Sequence, residues 1–325
     1  MLNRTRLLAL LAALVAMVLL MAACGDADDE QEAAVDDDAP LALDDDAAEE
    51  DATEDDATEE DATEEEEVDE VEFDVVAAVD AYASTIPEGW MMIREAEELY
   101  DAMQVDGAVV VDVRNPEDYE AGHIPGAINI PIREVAENLN LIPTDSPVWI
   151  VCQTGWRTGM AVSSLHMMGY DNVQGWANEF PAWEEAGYDV ETGEGAEPED
   201  FGEPELESEM VAEVGAFLST LPDGWLLVRE MDDVLAAVDA GADLLDVRQL
   251  ENFEEGHVND ATLVPIRDLA SPEAEIPTGN DVIVYCQSGW RTSLSMPILH
   301  LLGYDNTLGY PGSFDAFEGA DVVAS

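Results

Sequence analysis

Lysine is absent from this chain of 325 residues, and cationic side chains of any kind are scarce. The ten Lys+Arg are all Arg, they stand against 76 Asp+Glu, and the formal charge is −66. Such a balance argues against nucleic acid as a partner, because phosphate backbones are held by clustered Lys and Arg. It suits a high-salt medium, where screening limits self-repulsion. Cysteine and histidine are also few, at three and four. They show no spacing of the kind that ligates a metal, and neither a metal nor a cofactor is expected. Residues 24–70 carry no basic residue and almost no large apolar one. They run through Asp, Glu, Ala and Thr in repeats such as Asp51-Ala52-Thr53-Glu54. That composition cannot bury enough surface to offset the entropy of ordering, so this stretch is expected to be a disordered, self-repelling stalk.

Ahead of it, residues 1–23 combine Arg4 and Arg6, an apolar run from Leu7 to Leu20, and the small-residue end Met21-Ala22-Ala23-Cys24. The run is short for a membrane span and resembles a bacterial lipoprotein signal. The resemblance implies cleavage before Cys24, lipid on that cysteine, and a protein tethered to the outer face of the cell membrane or in the periplasm.

The rest of the chain is a tandem duplication. Each copy opens with a helix-like lead that ends in Pro87-Glu88-Gly89-Trp90 or Pro222-Asp223-Gly224-Trp225; the Pro-acid-Gly cluster marks a turn. Continuous apolar runs follow, Val109-Val110-Val111 and Leu244-Leu245, each running into Asp-x-Arg: Asp112 and Arg114, Asp246 and Arg248. Unbroken apolar runs between helix-like segments predict parallel sheets covered on both faces. The expected division is a first domain at 71–190, a Gly-, Pro- and Glu-rich linker at 191–207, and a second domain at 208–325.

A second apolar run in each copy ends in a cysteine. Val148-Trp149-Ile150-Val151 leads to Cys152-Gln153-Thr154-Gly155-Trp156-Arg157-Thr158. Val282-Ile283-Val284-Tyr285 leads to Cys286-Gln287-Ser288-Gly289-Trp290-Arg291-Thr292. A helix-like segment follows each loop. Inward backbone N–H groups of a tight Gly-containing loop form an anion nest, and the helix adds its positive end. Both favour the thiolate, the nucleophilic form of cysteine. Arg157 and Arg291 add a charged fork of donors suited to oxyanions, while Trp156 and Trp290 either wall the pocket or pack at a surface. Two plainer readings stay open: a buried structural cysteine, and a Cys152–Cys286 disulfide, permitted by export but demanding close approach of equivalent positions.

With Asp112 to Pro131, and the closing segments around Phe180 and Phe314, these loops resemble the rhodanese family, whose loop reads Cys-Arg-x-Gly-x-Arg. Cysteine phosphatases use a loop one residue longer, which disfavours a phosphatase or arsenate reductase. The resemblance implies two rhodanese-like α/β domains, each a parallel sheet flanked by helices, after the acidic tail. It also implies sulfur transfer from thiosulfate or a persulfide to a thiophilic acceptor, such as a thiol, through a persulfide on Cys152 and Cys286. Residues 153–158 and 287–292 would bind substrate, and Asp112, Arg114, Asp246 and Arg248 would support the loops. The family's first loop arginine is Gln153 and Gln287 here, so one cationic contact for a dianionic donor is missing. The rival is a non-catalytic binding or redox-sensing module on the same fold. The four histidines fall in repeat-matched pairs, His123 with His257 and His166 with His300; His123 reads as a loop-fixing group and His166 as a core-edge residue. Arg94/Arg229, Arg114/Arg248 and Arg133/Arg267 read as ties to acidic neighbours and carbonyls. Val258-Asn259-Asp260-Ala261, in place of Ile124-Pro125-Gly126-Ala127, is expected to alter that loop locally.

Overall fold

A computed structural model describes residues 73–320 and 322–324; the leader, Cys24 and the acidic stretch lie outside the described residues. The apolar runs form strands buried on both faces, as their lack of alternation predicts. In the first copy the order is α1 (Val75–Thr85), β1 (Met92–Ile93), α2 (Ala96–Ala102), β2 (Val109–Asp112), α3 (Pro116–Ala121) and β3 (Ile128–Asn129). Two 3₁₀ segments follow, Ile132–Glu137 and Leu139–Leu141, then β4 (Val148–Val151), α4 (Trp156–Met168), β5 (Val173–Trp176) and α5 (Phe180–Glu185). The sheet order is β1-β5-β4-β2-β3, with all pairs parallel. Each crossover passes through a helix or a 3₁₀ segment, so both faces are covered.

The second copy repeats this: α6 (Ser208–Ser219), α7 (Met231–Asp239), β6 (Asp243–Asp246), α8 (Leu250–Glu255), β7 (His257–Val258), β8 (Thr262–Leu263) and a 3₁₀ turn at Ile266–Asp268. It ends with β9 (Val282–Tyr285), α9 (Trp290–Leu301), β10 (Thr307–Gly309), α10 (Asp315–Gly319) and β11 (Val323–Ala324). Its sheet runs β10-β9-β6-β8, and a single parallel bridge, Leu227 to Gly309, stands where the first copy has β1. The substituted loop keeps its shape. Asp260 adopts φ 60° where Gly126 has φ 78°, and both turns close with the same bond, Ala127 N–H to Ile124 O and Ala261 N–H to Val258 O. The local change expected there is absent from the backbone, because Asp tolerates the left-handed region better than most residues.

The copies interlock. Lead helix α1 packs on the 3₁₀ turn of the second copy, α6 packs on Ile132–Glu137 of the first, and α4 lies against α9. One apolar core therefore serves both sheets: Val79, Val162 and Leu165 belong to the same cluster as Val214, Leu294 and Ile298. Each sheet has a core of its own on its outer face, around Trp149, Trp176 and Trp183 in one copy and Ile283, Tyr285 and Phe317 in the other. Arginines close the exchanged helix ends. Arg133 Nε donates to Leu221 O at 2.8 Å and Arg267 Nε to Ile86 O at 2.7 Å. These carbonyls lie just past the C-termini of α6 and α1, where unpaired acceptors and the negative dipole end favour a cation. Residues 191–207 run along the first copy, with Gly193 N–H on Glu120 O and Phe201 N–H on Asn140 O.

Candidate active site

Each cysteine stands where a central strand ends: Cys152 after β4 and Cys286 after β9, both 1 % exposed. Both are free thiols, so the disulfide alternative is excluded in this structure. The loop must then reverse into a helix, and Gly155 (φ 78°) and Gly289 (φ 80°) do this in the left-handed region. At Gly289 a side chain would also run into the Pro311 backbone. Neither helix carries a side-chain cap or an acidic residue in its first turn. The leading N–H groups of two buried helices are thus left for a ligand or for the thiolate itself.

Arg157 and Arg291 follow at once, 8 % and 9 % exposed. Their guanidinium carbons lie 4.9 Å from the Trp225 ring centre and 5.1 Å from that of Trp90, rings supplied by the opposite copy. Among the described residues neither has a carboxylate partner, whereas Arg114, Arg133 and Arg248 each have one. In so acidic a chain, both guanidinium groups rest on tryptophan faces and not on carboxylates.

The two loop tryptophans are keys between the copies. Trp156 Nε1 donates to Trp225 O, and Trp290 Nε1 to Trp90 O, both at 2.8 Å. The acceptors sit in paired left-handed residues, Trp90 and Met91 at φ 55° and 51°, Trp225 and Leu226 at φ 56° and 54°. Non-glycine residues reach this region at a cost, and here the two cross-copy bonds hold them in it.

Beneath each loop the Asp-x-Arg motif forms a buried fork. Arg114 Nη2 and Nε bond Asp112 at 2.7 and 2.9 Å, Nη2 bonds Gly122 O at 2.6 Å, and Nη1 reaches Gln153 Oε1 at 3.4 Å. Arg248 repeats this with Asp246, Gly256 O and Gln287. Phe180 and Phe314 stack on the two forks at 4.3 and 3.8 Å, and their N–H groups bond Gln153 O and Gln287 O. The glutamines that replace the expected loop arginines are therefore tied to the supporting pair.

A family model described as "Rhodanese-like domain" matches residues 95–186 and 230–320, one match in each copy. The chain belongs to the rhodanese-like family. It is 36 % identical to the thiosulfate sulfurtransferase GlpE of Pseudomonas entomophila over 94 residues, 29 % of this chain and 85 % of that protein. It is also 38 % identical to the uncharacterised YqhL of Bacillus subtilis over 76 residues, covering 23 % of this chain and 60 % of that one. A solved thiosulfate sulfurtransferase of Pseudomonas aeruginosa aligns at 22 % identity and TM-score 0.35, covering 75 % of this chain and 47 % of that one.

The two rhodanese loops face each other. Thr154, Gly155 and Trp156 of one, and Ser288, Gly289 and Trp290 of the other, line a common cavity of about 50 Å³ with Arg94, Ala177, Ser293 and Pro311. That is room for one or two waters. Thr158 and Thr292 are fully buried on the first helical turns, each with an unpartnered hydroxyl. His123 and His257 fix loops as expected, with Nδ1 on Tyr119 O and Phe253 O at 2.9 and 3.0 Å and each ring stacked on the same residue's ring. His166 sits at the core edge with Nε2 on Val173 O at 2.8 Å, and burial holds its pKa, like that of His300, below the usual value. Three site residues escaped the sequence reading as such: Arg94, Trp90 and Trp225. The repeated Pro-acid-Gly-Trp cluster was the available signal for the tryptophans.

Proposed function

We propose that this protein is a sulfurtransferase that works through cysteine persulfides on Cys152 and Cys286. The thiolate attacks the outer sulfur of thiosulfate. The S–S bond of the donor breaks, sulfite leaves with the electron pair, and the cysteine keeps the sulfur as a persulfide. A thiophilic acceptor, cyanide or a thiolate, then attacks that sulfur and restores the thiolate. The reading rests on one observation: twice in the chain a buried cysteine precedes an uncapped helix N-terminus whose first turn carries a buried arginine with no carboxylate partner among the described residues. The excess of negative charge slows the approach of an anionic donor, but screening beyond about 8 Å confines that penalty to the encounter. A neutral or protein-bound persulfide avoids it.

The test is turnover of thiosulfate with cyanide by the wild type, Cys152→Ser, Cys286→Ser and the double variant. Loss of turnover in the double variant supports the assignment, and activity that survives it overturns the assignment. A second reading, a binding or redox-sensing module, draws on the 1 % exposure of both sulfurs and on glutamine at the loop's second position; a folded protein inert toward every sulfane donor selects it. We further propose that lipid on Cys24 holds the domains outside the cell membrane on the acidic stalk. Metabolic labelling with a fatty acid, lost in Cys24→Ser, checks this.

A further inference from the structure

Resting on the sulfurtransferase reading, we infer that the two sites are unequal, and that Arg94 of the first copy supplies the anion contact of the second site, at Cys286. Arg94 Nη2 donates to Ser288 Oγ at 3.3 Å, on the third residue of the Cys286 loop. The guanidinium is exposed at the cavity between the loops. It has no carboxylate partner among the described residues, although Glu95 and Glu98 are its chain neighbours. The loop it touches carries Arg291 but has Gln287 where the family pattern has a further arginine, so a cation from the opposite copy stands beside a loop that is one short.

Arg229 holds the equivalent position in the second copy, yet it does not line the cavity and makes no bond to the Cys152 loop among the described residues. The cause is local. Trp176 Nε1 and Asn178 Nδ2 both donate to Arg94 O at 3.0 Å. They hold Arg94 directly after β1, which pairs with β5 through two residues. In the second copy Tyr310 and Gly312 occupy those places, neither carries a nitrogen donor on its side chain, and the strand shrinks to one bridge. The duplicated framework is therefore symmetric at the thiols and asymmetric at this cation. Cys286 is the better of the two sites for small anionic donors such as thiosulfate. Cys152, without that contact, depends less on donor charge.

The experiment compares Arg94→Gln, Arg94→Lys and Arg229→Gln in the Cys152→Ser and Cys286→Ser backgrounds, with thiosulfate as donor. Arg94→Gln raises KM about tenfold at the Cys286 site with kcat within about twofold, as expected for losing one partly exposed charged contact. Arg94→Lys recovers most of that loss. Arg94→Gln changes KM at the Cys152 site much less than at the Cys286 site, and Arg229→Gln leaves both unchanged. Equal effects in the two backgrounds, or none on Cys286, overturn the inference. Should neither background turn over, the sulfurtransferase reading fails. Quenching of tryptophan fluorescence by thiosulfate, weakened by Arg94→Gln or indifferent to it, then still decides whether Arg94 binds the anion.

Discussion

Gly309→Ala is a one-methyl change in the second copy that should damage the first. A Cβ at Gly309 would collide with the outer ring of the Trp156 indole and lie 2.9 Å from Thr292 Cγ2. Contacts between carbons settle near 3.5–4.0 Å, so the indole must move by about 1 Å. It has little freedom to do so: Trp156 is 4 % exposed and its N–H is fixed on Trp225 O. Overpacking of this kind costs about 1–3 kcal/mol, and losing the indole bond adds about 1 kcal/mol. The expected destabilisation is about 3 kcal/mol, a fall in Tm of roughly 9 °C for a domain of this size. Trp156→Phe removes the ring that is struck, so Gly309→Ala in that background should cost less than about 1 kcal/mol. Urea unfolding followed by far-UV circular dichroism on the four proteins of the cycle measures this, with an expected coupling of about 2 kcal/mol. Additivity within about 0.5 kcal/mol would refute the interlocked packing, since it would mean that indole and glycine do not meet.

Other expectations follow from the same contacts. Arg114→Ala leaves the fully buried Asp112 unpaired and should cost about 3–5 kcal/mol in chemical denaturation; replacing both by apolar residues recovers part of it. Burial lowers the pKa of His166 and His300 below 6.5, so the unfolded chain binds their protons more readily. Their contribution is complete above pH 6.5 and is lost as pH falls from there through the lowered folded values. His166→Gln with His300→Gln should flatten the stability profile between about pH 7 and pH 5.5; an unchanged slope would contradict the assignment. The charge of −66 predicts higher stability in molar salt than in dilute buffer, and equal Tm values in the two would count against adaptation to a saline medium.

The duplication, the parallel strands and the reversing glycines were legible because each rests on local pattern: unbroken apolar runs, a Cys-x-x-Gly loop, a turn cluster. The exchange of lead helices was not. In a duplicated chain, a helix that packs on its own copy and one that packs on the other present the same apolar face. Arg133 and Arg267 were read as ties to carbonyls, and they are, but the carbonyls belong to Leu221 and Ile86 across the repeat. Trp156 and Trp290 were left between wall and packing; they pack between the copies and line the small cavity where the two loops meet. They reach over Gly309 and Gly175 of the opposite copies, glycines whose role is invisible until the sheets are placed. The difference between Asn178 and Gly312 acquires meaning only once Asn178 is seen to donate to the backbone carbonyl of Arg94.

Intact-protein mass spectrometry after brief exposure to thiosulfate tests the central chemistry most directly. The account predicts a gain of one sulfur at Cys286 and at Cys152, removed by cyanide and abolished when both are serine. A folded protein that gains no sulfur on either residue, or gains it equally well in the double serine variant, would contradict it.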